Sequence, residues 1–201
     1  MIALIDYDAG NIKSAQKAFA AIGEETVVTR NPEQILAADH VVLPGVGAFG
    51  DAMNNLVSFG LDDVVRKVVD KKIPLLGICV GLQLLFEDSE ETPQVAGIGV
   101  LKGHIKKIKS DEKLKIPHMG WNSISKCSDS YLLNNIPDDS YMYFVHSYYL
   151  EAADKGIVSA VTHYGVEIHA AVEKDNVFAV QFHPEKSGDM GLRILKNFAQ
   201  R

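Results

Sequence analysis

The sequence predicts an α/β layered fold, and two features carry that prediction. Short strands that are apolar on both faces, at residues 2–5, 41–43 and 73–78, alternate with helical stripes through the first half. Strands buried on both sides belong to a parallel sheet covered by helices. After about residue 95 the pattern changes to strands with few helices between them, the mark of an antiparallel meander. The expectation is a central, mostly parallel sheet with helices on both faces and an antiparallel extension in the second half. No Pro/Ser-rich linker, low-complexity tract or internal repeat interrupts the chain, so residues 1–201 are read as one domain.

The elements follow in order. Residues 2–5 form an apolar strand that ends at Asp6, and Asn11 opens a helical pattern running to Ile22, closed by Gly23. Residues 26–29 are β-branched, and Asn31-Pro32 starts a helix with proline at its first position. An apolar strand at 41–43 precedes Pro44. Leu61, Val64, Val65, Val68 and Val69 make one helical face, and 73–78 is a buried strand. Strands are then expected at 95–108, 121–125, 141–149, 157–161, 166–172 and 177–182. A last helix carries Leu192, Ile194, Leu195 and Phe198.

Composition narrows the class of function. Of 201 residues, 47% are hydrophobic and 23% charged, which excludes disordered and fibrous chains. With 20 Lys+Arg against 26 Asp+Glu and no basic stripe, no nucleic-acid partner is expected. Two cysteines, Cys79 and Cys127, are too few for a disulfide scaffold and fit a reducing compartment. The start of the chain does not read as a signal peptide, and the most apolar stretch, 73–86, is too short for a membrane span and contains Gln83. A cytoplasmic protein without membrane partners is expected.

Cys79 lies in Gly77-Ile78-Cys79-Val80-Gly81, with an apolar strand before it and a helical pattern after it. That is a nucleophile elbow with sulfur in place of oxygen. The sharp turn lifts the side chain above the sheet edge, the glycines remove Cβ clashes, and the helix N-terminus favours a thiolate. Taken alone, G-x-C-x-G also describes a small buried cysteine between packing glycines. Among the seven histidines, His183 has an acid at a useful distance, in Phe182-His183-Pro184-Glu185 after a strand. Alternate residues of extended chain share a face, so Glu185 can orient the ring while its other nitrogen serves the thiol. A solvated turn is the alternative for His-Pro-Glu alone. Cys127 lacks flanking glycines and is read as structural.

An oxyanion hole needs backbone N–H groups after the nucleophile and from the loop of an adjacent strand. Val80 supplies the first, and Val46 or Gly47, in Pro44-Gly45-Val46-Gly47, the second. The same loop spells Gly45-x-Gly47-x-x-Gly50, but it follows the third strand, and Asp70 lies before the next strand instead of at its end, so a dinucleotide site is disfavoured. No phosphate loop motif and no metal-ligand spacing occurs. Neither cofactor nor metal is expected.

Elbow cysteine, downstream His-x-Glu and the glycine loop, in that order, resemble the triad-type (class I) glutamine amidotransferase family over nearly the whole chain. Four further segments sharpen the resemblance: 6–11 (Asp-Tyr-Asp-Ala-Gly-Asn), 44–49 (Pro-Gly-Val-Gly-Ala-Phe), 117–122 (Pro-His-Met-Gly-Trp-Asn) and 183–187 (His-Pro-Glu-Lys-Ser). They resemble the branch of that family serving histidine biosynthesis. The resemblance implies a three-layer, flavodoxin-like fold and hydrolysis of glutamine through a Cys79 thioester, with His183 as proton shuttle and Glu185 as its orienter. It implies that Gln83, Ser147 and Tyr148 hold the substrate. It further implies a heterodimer with a (β/α)8-barrel cyclase subunit that receives the ammonia, and that the Val46 region completes the oxyanion hole only when the partner holds its own substrate. Met119, Trp121, Tyr143 and Lys186 are the interface candidates, since exposed aromatics, Met and a placed charge are common anchors; core packing is the alternative for the first two. Three other readings stay open: a paralogue feeding a different synthase such as one for surface-polysaccharide sugars, a non-catalytic scaffold subunit, and a stand-alone cysteine hydrolase.

Overall fold

A computed structural model describes residues 1–8, 11–109 and 114–201. Ala9 and Gly10, within the 6–11 segment singled out above, lie outside the described residues. In chain order the elements are β1 (Ile2–Ile5), α1 (Ile12–Ala21), β2 (Thr26–Thr29), α2 (Pro32–Leu36), β3 (His40–Gly45), α3 (Phe49–Ser58), α4 (Leu61–Asp70), β4 (Leu75–Cys79) and α5 (Val80–Leu84). They continue with β5 (Asp88–Ser89), β6 (Gly103–Lys107), β7 (His118–Lys126), β8 (Ser140–His146), β9 (Tyr148–Ala152), β10 (Val158–Tyr164), β11 (Val166–Lys174), β12 (Val177–Val180) and α6 (Gly188–Ala199).

One sheet has the order β2-β1-β3-β4-β12-β11-β10-β7-β8. Its first five strands are parallel and the last four extend it antiparallel. Right-handed crossovers explain the layers. The chain moves one way from β1 to β2 and the other way from β2 to β3 to β4, so α1 falls on one face and α2 to α4 on the other. Accordingly α1 packs with α6, while α2 and α3 both pack on α4. A separate small sheet, β5-β6-β9, sits beside this frame.

Local sequence accounts for the elements. The strand β4 is buried at every position, and the predicted stripe of α4 turns Leu61, Val64, Val65 and Val68 inward. Asn31 caps α2, its Oδ1 accepting from the backbone N–H of Glu33 at 2.8 Å and Gln34 at 3.3 Å, with Pro32 at the first position. Three expectations need correction. The strand at 95–108 shrinks to β6, because the turn at Gly99 takes φ +69° and Gly97 presses so close to Phe86 that a Cβ would lie 2.1 Å from its carbonyl oxygen. Ile98 and Leu101 still enter the core, which is why the segment reads as apolar. The strand at 141–149 is two, divided at Ser147: β8 pairs with β7 in the large sheet and β9 with β6 in the small one. Finally, α3 forms where the sequence reading places no helix, with Phe49, Ala52, Met53 and Leu56 recurring at helical spacing and buried.

Candidate active site

Ligands of open α/β sheets gather at the carboxyl ends of the strands. Here β3, β4 and β12 are neighbours, with Gly45 paired to Cys79 and Ile78 to Val180. Their ends therefore deliver the Val46–Gly47 loop, Cys79 and the segment leading to His183 to one place. A cleft of about 530 Å³ opens there, lined by Cys79, Val46, Gly47, Val80, Gln83 and His183, among others.

Cys79 has φ +56° and ψ −110°, a conformation that costs a non-glycine residue on the order of 1–3 kcal/mol. This is the elbow the motif predicts. Its glycines are sterically required: a Cβ on Gly81 would stand 1.9 Å from the Leu43 carbonyl oxygen, and one on Gly77 2.9 Å from the Gly81 oxygen. The sulfur is nearly enclosed, and its thiol donates to the Val145 carbonyl at 3.8 Å.

His183 is held on both sides. Its N–H donates to the Tyr143 carbonyl at 2.9 Å, and the Ser187 hydroxyl donates to its carbonyl at 2.6 Å while accepting from the Tyr143 N–H at 3.0 Å. The ring Nδ1 meets Glu185 Oε1 at 2.9 Å, with both side chains under 5% exposed. Burial pulls the His183 pKa down, but hydrogen bonding to Cys79 and then to Glu185 more than offsets it, and the pKa is pushed up to about 9. Glu185 Oε2 is buried without a hydrogen-bond partner among the described residues. Beneath the loop, Tyr7 donates to the Pro44 carbonyl at 2.7 Å, and burial, then the nearby Cys79, raises its phenol pKa.

Cys79, His183 and Glu185 thus meet at the carboxyl ends of adjacent parallel strands. A family model described as "Glutamine amidotransferase class-I" matches residues 3–201. The chain belongs to the class I glutamine amidotransferase family. It is 48% identical to imidazole glycerol phosphate synthase subunit HisH 1 of Methanococcus maripaludis, over 100% of this chain and 99% of that protein. It is 51% identical to the HisH subunit of Bacillus cereus over 98% of this chain and 93% of that one. Solved structures share the fold at lower identity. A glutamine amidotransferase superposes with a TM-score of 0.76 at 19% identity, covering 99% of this chain and 100% of that one. The glutaminase domain of Trypanosoma brucei CTPS, with bound acivicin, gives 0.66 at 17%, covering 100% of this chain and 94% of that one.

The other residues expected from the amidotransferase resemblance are placed as follows. Gln83, Ser147 and Tyr148 line the cleft. Gln83 is buried, its Nε2 donating to the Tyr148 carbonyl at 3.2 Å and to Gln181 Oε1 at 3.1 Å. Val46 and Gly47 are exposed, and a Cβ on Gly47, which takes φ +94°, would meet nothing within 4 Å. Met119 and Trp121 are 63% and 56% exposed, so core packing does not explain them. Trp121 is the register partner of Tyr143, their rings meet edge to face at 6.0 Å, and Lys186 Nζ lies 5.8 Å from the Tyr143 ring centre. All four sit on or against β7 and β8, at one end of the sheet. Cys127, read as structural, is exposed.

One lining residue carried no signal in the sequence: Glu91 reaches in from the small sheet's side to cap α3, accepting from the Phe49 N–H at 2.7 Å. Asn11 and Pro117, which also line the cleft, come from the 6–11 and 117–122 segments singled out by the resemblance. Among the described residues no cluster suited to a metal occurs, and no helix is long and apolar enough to cross a membrane.

Proposed function

We propose that this chain is the glutaminase subunit of an imidazole glycerol phosphate synthase, hydrolysing glutamine to glutamate and ammonia for histidine biosynthesis. The observation that carries the chemistry is the buried His183–Glu185 pair beside the elbow sulfur; relatives about half identical over the full length support the pathway.

In this reading the Cys79 sulfur attacks the carboxamide carbon of glutamine, and the imidazolium of His183 gives its proton to the departing amine. The C–N bond breaks, leaving a thioester and ammonia. Water then attacks the thioester with His183 as base, releasing glutamate and restoring the thiol. Glu185 fixes the ring and stabilises its charge. Backbone N–H groups of Val80 and of Val46 or Gly47 face the oxyanion, and Gln83, Ser147 and Tyr148 hold the amino-acid end. Ammonia is a nucleophile only while unprotonated, so it passes directly to a cyclase subunit with a (β/α)8 barrel, docked on the face bearing Met119, Trp121, Tyr143 and Lys186. No cofactor takes part.

Glutamate release by the purified chain, alone and with the cyclase subunit holding its acceptor nucleotide, tests this, with Cys79→Ala as blank. A low rate that rises by orders of magnitude with the liganded partner and vanishes in the blank is expected. No rise with a folded chain refutes the pathway, and activity in the blank refutes the nucleophile.

A further inference from the structure

Gln181 follows β12 and is fully buried, with no role in the chemistry above. Its Nε2 lies 3.7 Å from Cys79 Sγ. A buried carboxamide can present either end to a neighbour, and only its surroundings decide which. Here they decide it twice over. The Tyr148 carbonyl can only accept, and it receives Gln83 Nε2 at 3.2 Å. That fixes which end of the Gln83 carboxamide carries hydrogens. The same Nε2 points at Gln181 at 3.1 Å, so the Gln181 atom facing it is the oxygen. The Gln181 N–H group then faces the sulfur.

The Tyr148 carbonyl is itself held in place. It accepts from His146 Nδ1 at 2.8 Å, which leaves His146 Nε2 as an acceptor for His118 Nδ1 at 2.9 Å. Asn122 Nδ2 donates in turn to His118 Nε2 at 3.3 Å. Every hydrogen in this series has one direction, and the backbone N–H of Gln181 is tied to the Ala170 carbonyl at 2.8 Å. The other side of the sulfur faces the Val145 carbonyl, which takes a thiol hydrogen and offers nothing to a thiolate.

We propose that Gln181 is a further catalytic residue: oriented by Gln83, its carboxamide N–H donates to Cys79 Sγ and stabilises the thiolate that attacks the substrate. The proposal rests on Cys79 being the nucleophile. A neutral donor aimed at sulfur lowers the energy of the charged form without taking its proton, which goes to His183. Gln181 and His183 therefore divide the work between a fixed dipole and a proton carrier.

Alkylation by iodoacetamide tests this without glutamine or partner. In a Cys127→Ser background one thiol remains, and its rate is followed by intact mass from pH 6 to 10. Gln181→Met keeps the volume and removes the donor; roughly tenfold slower alkylation at neutral pH is expected, with the midpoint about one pH unit higher, as for loss of a hydrogen bond to a charged group. The kcat should fall with little change in KM. A profile for Gln181→Met that overlays its parent overturns the proposal. Should that variant not fold, Gln83→Met decides instead: it leaves Gln181 free to turn, and a smaller shift of the same sign is expected, whereas an unchanged profile overturns the proposal. Full glutaminase activity in Cys79→Ala would instead remove the nucleophile on which the proposal rests, a result the alkylation profile cannot mimic.

Discussion

Replacing Glu185 by Gln removes a charge while keeping the outline of the triad, because a Gln Oε1 at the same place still accepts from His183 Nδ1, 2.9 Å away. The His183 pKa stands near 9 against an ordinary 6.5, and at about 1.4 kcal/mol per unit this gap corresponds to about 3 kcal/mol of folding stability. The pKa is raised in the folded chain, so the contribution is complete below pH 6.5, declines as the unfolded chain loses its proton first, and is gone above about pH 9. Burial opposes the shift, Cys79 and Glu185 produce it, and the variant keeps the Cys79 share. Burial still opposes the shift in the variant, so the larger part of the net contribution, on the order of 2 kcal/mol, should disappear from the pH dependence. Urea unfolding of both proteins at half-unit intervals from pH 6 to 9.5 measures this, since the difference between the curves cancels every group that titrates alike in both. Wild type should fall more steeply than Glu185→Gln over that window. Parallel curves would show that the carboxylate does not hold the proton on His183 and would refute the reasoning.

On the acid side the sign reverses. Burial lowers His118 to about 4 and, with opposing help from Tyr148, His146 to about 3, so their neutral rings contribute stability above pH 6.5 that is lost as pH falls; His118→Asn should reduce by about one the protons taken up on unfolding between pH 6.5 and 4. Gly81→Ala drives a Cβ into the Leu43 carbonyl, backbone against backbone, and should cost about 3 kcal/mol or more, whereas Gly47→Ala meets no atom and should cost only the roughly 1–2 kcal/mol of its positive φ; thermal melting separates them, and equal losses would contradict the packing. Trp121→Ala should leave the free chain within about 0.5 kcal/mol of wild type yet, on the proposed interface, weaken binding of the proposed cyclase partner by about 2 kcal/mol or more, read by titration calorimetry.

In the parallel half of the sheet β1, β3 and β4 were legible because they are apolar on both faces, and α4 because it shows one buried stripe. The convergence of Cys79, His183 and Glu185 was legible for a related reason: an elbow cysteine needs glycines at fixed offsets, and His-x-Glu needs two residues on one face of an extended chain, both local requirements. What stayed hidden depends on the tertiary structure. Ile98 and Leu101 are as apolar as strand residues but occupy an irregular stretch, and sequence does not distinguish apolar residues that pair from those that merely pack. Ser147 divides two strands assigned to different sheets, a partition set by which neighbours are available. Gln181 and Glu91 are ordinary polar residues by composition, and only the fold aims one at the sulfur and the other at α3.

The elbow and the loop beside it are anchored very differently. Holding Cys79 at positive φ costs on the order of 1–3 kcal/mol. Against this, α5 follows with no intervening residue, Gly81 lies against β3, and Leu82, Leu84, Leu85 and Phe86 are wholly buried, each stabilising the fold by about 1.5–3 kcal/mol. The strain is the smaller quantity, so Cys79 cannot relax without withdrawing four side chains from the core. One register pair away, Val46 and Gly47 have no such anchorage: Val46 is exposed and nothing stands over Gly47. Turning a peptide there disturbs little. If docking of a partner controls hydrolysis, the loop is where a small force suffices, because acting on Cys79 or His183 means deforming the middle of a parallel sheet.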